Sequence, residues 1–213
     1  MNAKEFYKLC DSLGACPEGL VWIKGKSLRK FWKTCERADW MLWLCGRMLT
    51  KPGWPGREQL VLLACLCAET ALKFVPAGED RPRKAIETAC AWAQGKATLD
   101  EARNATYDAA SAASAASAAS AAAAYAAYAS AYASAVDAAS APSAASAAAA
   151  YAAYAASSAA AASAPAYASA VDAAIAAAIA AARKSALRNM AKMIRHAIPC
   201  PVKNNAKPRK VKN

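Results

Sequence analysis

The 213-residue sequence predicts an all-α fold, and three features carry that prediction. Residues 105–182 are almost wholly alanine, with serine and tyrosine set in at helical spacing. Alanine has the highest helix propensity and leaves a smooth surface that lets neighbouring helices approach closely. Ahead of that tract, apolar residues recur every three or four positions, the period of amphipathic helices. Glycine and proline clusters punctuate these stretches. The expected architecture is a helical bundle or array in which Trp-rich N-terminal helices pack on long Ala/Tyr-rich helices. Three parts are expected: a Trp/Cys-rich part over residues 1–104, an alanine-rich array over 105–198 packed on it as one domain, and a basic flexible tail over 199–213.

Residues 1–26 read as a short helix followed by loop, because Gly14, Pro17, Gly19 and Gly25 interrupt it. Ser27 is a good N-cap. From Leu28 the series Phe31, Trp32, Cys35, Ala38, Leu42, Cys45 and Leu49 predicts one amphipathic helix to about Thr50, before the breaker cluster at 51–56. A second helix is expected over 57–75; its run at 60–67 is apolar on nearly all sides, which predicts a central position. Asp80 and Pro82 then suggest an aspartate cap with proline in the first turn of a third helix, closed by Gly95. Thr98 and Glu101 form a capping-box pattern that opens the alanine region.

Within that region Pro142 and Pro165 predict breaks between three helices. The string SAASAAAAYAAYA occurs at 117–129 and again at 143–155, and AYASAVDAA at 131–139 and 166–174. The two offsets differ by nine residues, which reads as a duplicated helical unit with an insertion. Tyr125, Tyr128, Tyr132 and Val136 form one stripe, restarted by Tyr151 and Tyr154, and the Trp-rich helices are its expected partners. The last helix becomes basic and ends at Pro199 and Pro201.

The net charge of +12 is unevenly spread. Residues 1–104 carry 17 basic and 12 acidic groups, the alanine tract only Asp108, Asp137 and Asp172, and residues 183–213 hold 10 basic groups and no acid. Such an end can dock on a phosphate backbone, an acidic protein or anionic lipid, or serve as a solvated tail. The eight cysteines contain no CxxC pair and the chain has one histidine, His196, so buried reduced thiols are expected and no metal site or cofactor. The N-terminus shows no secretory h-region and the apolar run at 60–67 is too short to span a bilayer. A cytoplasmic location is the expectation.

The run Trp32-Lys33-Thr34-Cys35-Glu36-Arg37-Ala38-Asp39-Trp40-Met41-Leu42-Trp43-Leu44 resembles the signature of an alanine-rich, all-helical putative immunity protein family of bacteria and phages. Residues 79–87, with Trp92 and Gly95, and the Ala/Tyr tract are also similar to that family. The resemblance covers roughly residues 20–195. It implies protein binding, with neutralisation of a toxin or host factor, and supplies no catalytic residues.

Candidate partner-binding residues are Trp40, Trp43, Asp39, Arg81, Arg83 and Lys84. Asp39 has three open readings: an ion pair with Arg81 or Arg83, a solvent edge beside Glu36, or a polar binding notch. Trp40 and Trp43 share a helix face that Trp32 only borders, so at least one is a candidate interface anchor, with packing on the alanine helices as the alternative. Arg81, Arg83 and Lys84 surround a helix N-terminus where an anion can bind, though Asp80 is more simply a cap. Arg183, Lys184, Arg188, Lys192, Arg195, Lys207, Arg209 and Lys210 are the nucleic-acid candidates. The sequence has no paired acid and base, nucleophile or metal cluster. The leading expectation is therefore a non-catalytic phage or prophage-type interaction protein, with immunity or counter-defence as its purpose. Nucleic-acid binding through the basic end and sequestration of a small anion are the alternatives.

Overall fold

The computed structural model describes residues 1–116, Ala152, Ala155 and 169–201, and these are helical with no strand among them. The elements are α1 (Ala3–Ser12), α2 (Pro17–Ile23), α3 (Leu28–Thr34), α4 (Ala38–Arg47), α5 (Arg57–Glu69), α6 (Arg81–Ala93), α7 (Leu99–Ala116) and α8 (Ser169–Ala197). A 3₁₀ turn, Leu72–Phe74, follows α5.

The caps explain most boundaries. The Asn2 side chain accepts from the Glu5 backbone N–H while the Glu5 carboxylate accepts from that of Asn2. Ser27 Oγ accepts from Lys30 N–H at 3.3 Å, as its position predicted. Thr98 and Glu101 close a reciprocal box, with Thr98 N–H donating to Glu101 Oε2 at 2.7 Å and Glu101 N–H to Thr98 Oγ1 at 3.2 Å. Gly95 ends α6 at φ 71°, a left-handed value that costs glycine nothing.

Three expectations need correction. Residues 28–50 form two helices, not one: the chain leaves the helix at 35–37, where Cys35 and Arg37 are extended. No proline or glycine marks that corner; its geometry is held by tertiary contacts described below. Residues 17–23, read as loop, form α2, because Pro17 occupies the first turn and Cys16 Sγ accepts from Gly19 N–H at 3.4 Å. Asp80 makes no capping hydrogen bond; its carboxylate pairs instead with Lys84 at 2.6 Å, and Glu79 Oε1 accepts from Arg81 N–H at 3.1 Å.

The core gathers Phe6, Leu28, Met41, Leu42, Leu44, Leu60, Met190 and Ile194, all under 2% exposed. Seven of the thirteen residues of α5 are buried, as expected of a central helix. Buried alanines on α7 meet α6: Ala85 packs with Ala109, flanked by Ala105 and Ala110. Small side chains there permit the close approach that the composition predicts. Leu187, Met190, Ala191 and Ile194 form the buried face of α8, which packs on α4 and α5. Ala152 and Ala155 reach the same core. The tyrosine stripe, Pro142, Pro165 and the duplicated strings otherwise lie outside the described residues.

Candidate partner-binding cavity

Helix α4 is apolar on two faces, one buried within the core and one at its edge. Met41, Leu42 and Cys45 point inward and are fully buried. Asp39, Trp43, Trp40 and Leu44 span an adjoining arc of roughly 140° at 100° per residue, with Leu44, at its inner end, itself buried. They line a cavity of about 330 Å³. The opposite wall is Cys10, Gly14, Ala15, Cys16, Gly19 and Ile23, and Phe31 forms the back. That volume falls at the lower end of ligand pockets. Gly19 keeps the wall compact: a Cβ there would approach Cys16 Sγ to 3.3 Å, tighter than ordinary contact.

Arg37 braces the rim. Its Nε donates to Asp39 Oδ1 at 2.9 Å and its Nη2 to Asp39 Oδ2 at 2.7 Å, a bidentate pair. Its Nη1 also reaches Glu18 at 3.3 Å, and its guanidinium lies over the Trp40 ring, 4.4 Å from the centroid. The hydrogen bonds it donates to Asp39 raise the guanidinium pKa above its ordinary value, against a smaller opposing effect of burial. Arg37 therefore stays charged, and the Asp39 side chain, 13% exposed, has both oxygens engaged.

An aromatic series runs from this rim into the core. Trp40 meets Trp22 at 5.8 Å, Trp22 meets Phe31 at 6.0 Å, and Phe31 meets Phe6 at 5.3 Å, all tilted or edge-on. Such pairs are favourable beyond their area burial. Each outer ring also carries a cation: Lys26 over Trp22 at 4.0 Å and Arg47 over Trp43 at 5.9 Å. The rings are thus held in place before any partner arrives.

The structure brings Asp39, Trp40 and Trp43 to one cavity and leaves the other three partner candidates elsewhere. Arg81 pairs with Glu79 and Lys84 with Asp80 at the start of α6, while exposed Arg83 lines shallow clefts with Glu79, Asp80, Glu69 and Glu87. Arg81 hydrogen bonds hold the Glu79 carboxyl below its usual range. Arg81 and Arg83 are therefore not the partners of Asp39. Arg37, two residues away across the α3–α4 corner, takes that place. Trp32 does not border the Trp40/Trp43 face at all: it sits on α3, 3% exposed, edge-on to Trp54 at 6.3 Å. Arg37, Phe31 and the Cys10–Gly19 wall were missed; only the interrupted helix ahead of α3 hinted at a fold-back there.

The nucleic-acid candidates from Arg183 to Arg195 lie on α8, and Lys207, Arg209 and Lys210 are outside the described residues. Of the cysteines, Cys10, Cys35, Cys45, Cys65 and Cys67 are buried and free, as small core residues, whereas Cys16 is exposed. Burial pushes the Cys35, Cys45 and Cys67 thiols up to about 12.

Fold and cavity together define an all-α protein with a preformed aromatic recess. The model of the Imm-5 like putative immunity protein family matches residues 55–168, more than half of the chain, and the chain belongs to that family. The match takes in α5, α6, α7 and most of the alanine tract; the cavity and the tryptophan motif precede it. No curated protein and no solved structure matches the chain.

Proposed function

We propose that this chain is a non-catalytic immunity protein of phage or prophage type that neutralises a protein partner, a toxin or host factor, by stoichiometric binding in the cytoplasm. Family membership supports the immunity role. The observation that carries the binding surface is the placement of Trp40 and Trp43, both half-buried, at the edge of the core and around a recess. Tryptophan and arginine in a partly desolvated pocket are the residue types that dominate binding energy at protein interfaces. The recess also offers little to a chemical step. Its one carboxylate is committed to Arg37, and the only histidine is exposed in the last turn of α8. Sequestration of a small anion has weaker support, since carboxylates surround the exposed Arg83.

Affinity capture of the tagged chain from host lysate, with nuclease added, tests the reading when run beside a Trp40→Ala/Trp43→Ala variant. One protein recovered in 1:1 ratio with the wild type and lost with the variant is the expected result. A catch that vanishes with nuclease, or that the variant retains in full, would refute it.

A further inference from the structure

From Lys184 onward, helix α8 carries its cations on one flank. Taking Leu187 as the centre of the buried face, Lys184, Arg188, Arg195 and Lys192 fall between about 60° and 140° round the helix at 100° per residue. Two of them locate that flank. Arg188 pairs with Glu36 at 3.1 Å, and Arg195 Nη1 donates to the Cys35 carbonyl at 2.7 Å. Trp32 Nε1 donates to the Ile198 carbonyl at 3.2 Å and ties α3 to the end of α8. The basic flank therefore runs along the α3–α4 corner.

Helix α3 arrives at that corner with a basic face of its own. Phe31, Trp32 and Leu28 are its buried side, and Arg29, Lys30 and Lys33 are exposed. Among the described residues, α3 and α8 from Lys184 onward carry seven cations and no carboxylate, with Glu36 at the corner between them. The group to which Arg195 donates is a neutral carbonyl. The exposed positions of α8 between residues 184 and 196 are Lys184, Ser185, Asn189, Lys192 and His196, without one apolar side chain and with no Phe, Tyr or Trp. Past Pro201 the sequence adds Lys203, Lys207, Arg209, Lys210 and Lys212 and no acid.

We propose that α3 and the C-terminal half of α8 form one composite surface that binds the phosphate backbone of nucleic acid. A protein partner fits this face poorly. Protein interfaces bury an apolar or aromatic centre and are depleted in lysine, and this face is lysine-rich with no such centre. A phosphate backbone needs only charge at suitable intervals and hydrogen-bond donors. The span from Lys184 to Arg195 is about 17 Å at ~1.5 Å per residue, the length of roughly five base pairs of duplex. Binding of this kind is salt-sensitive and nearly blind to base sequence. It does not rest on the cavity and uses different residues.

Fluorescence anisotropy with a labelled 20-base-pair DNA duplex, read from low to moderate salt, tests the proposal on the full chain. The key variant is Lys30→Glu/Lys33→Glu, which leaves α8 and everything after it untouched. Its helix content, checked by circular dichroism, should match wild type because both positions are exposed. The expected result is duplex binding by the wild type that falls steeply with salt. The variant should bind on the order of tenfold more weakly, with a log–log salt slope shallower by about 2. Trp40→Ala/Trp43→Ala should bind like wild type. No duplex binding at low salt, or an α3 variant with unchanged affinity and slope, would overturn the composite surface. Poly-glutamate of matched charge displacing the duplex at equal concentration would reassign it to acidic proteins and overturn it equally.

Discussion

The aromatic cavity and the basic face flank the same corner of the chain, yet they are assembled in opposite ways. Every residue lining the cavity lies between positions 10 and 44, and its brace, Arg37 to Asp39, spans two residues. The basic face joins α3 to a helix more than 150 residues further on, through Trp32 with Ile198, Cys35 with Arg195 and Glu36 with Arg188. A cavity built from neighbouring segments pays little loop-closure entropy and is preset by its own aromatic contacts. The basic face exists only once α8 has docked on α4 and α5. The first surface is local and apolar, suited to one partner; the second is charged and joined across the chain, suited to a polyanion.

The largest predicted effect removes both surfaces together. The Cys35, Cys45 and Cys67 thiols are pushed up to about 12 by burial, against an ordinary value of 9.0. Above pH 9 the unfolded chain releases these protons while the folded chain keeps them, so stability must fall as pH rises from 9 towards 12. At about 1.4 kcal/mol per thiol per pH unit, the three cost on the order of 4 kcal/mol by pH 10, a large share of the ~5–15 kcal/mol typical of a domain. Thermal melts followed by circular dichroism should therefore drop sharply between pH 9 and 11. A constant Tm over that range would contradict the burial argument.

Trp40→Ala/Trp43→Ala comes next and separates the surfaces. Loss of two anchor rings should weaken the protein partner by ~100-fold or more while leaving duplex affinity within about twofold. Equal losses for both ligands would show that the two surfaces are one. Arg37→Ala sharpens the cavity side. It leaves the mostly buried Asp39 carboxylate without its bidentate donor, at a cost of about 1–2 kcal/mol after allowing for partial exposure. Urea unfolding should show that loss, and partner capture should weaken with no change in duplex binding. The smallest effect is on the other side. Trp32→Phe keeps the ring against Trp54 but deletes the hydrogen bond to Ile198, worth about 1 kcal/mol. It should loosen the end of α8 and lower duplex affinity a few-fold, with partner capture unaffected.

Much of the helical framework was legible residue by residue. Ser27, the Thr98–Glu101 box, Gly95 and the proline pair after α8 act through backbone groups within four residues of themselves, so spacing alone exposes them. The central place of α5 followed from its unbroken apolar run for the same reason. The corner at 35–37 did not. Its residues, Cys35, Glu36 and Arg37, carry no breaker, and Cys35 continues the apolar period of α3 into α4. The bend is held from outside, by Arg195 on the Cys35 carbonyl and Arg188 on Glu36 from α8, and by Glu18 of α2 on Arg37.

That division extends to the two candidate surfaces. Trp40, Trp43 and Asp39 stood out as a motif because they share one helix face, and the net charge of the last 31 residues was plain from counting. The identity of the far wall of the cavity, the choice of Arg37 over Arg81 as the partner of Asp39, and the union of α3 with α8 were decided only in three dimensions. Helix propensity and capping are local free energies that a short window contains. A cavity wall or a shared charge face depends on which distant segments pack together, and the apolar surfaces that drive that packing are non-directional.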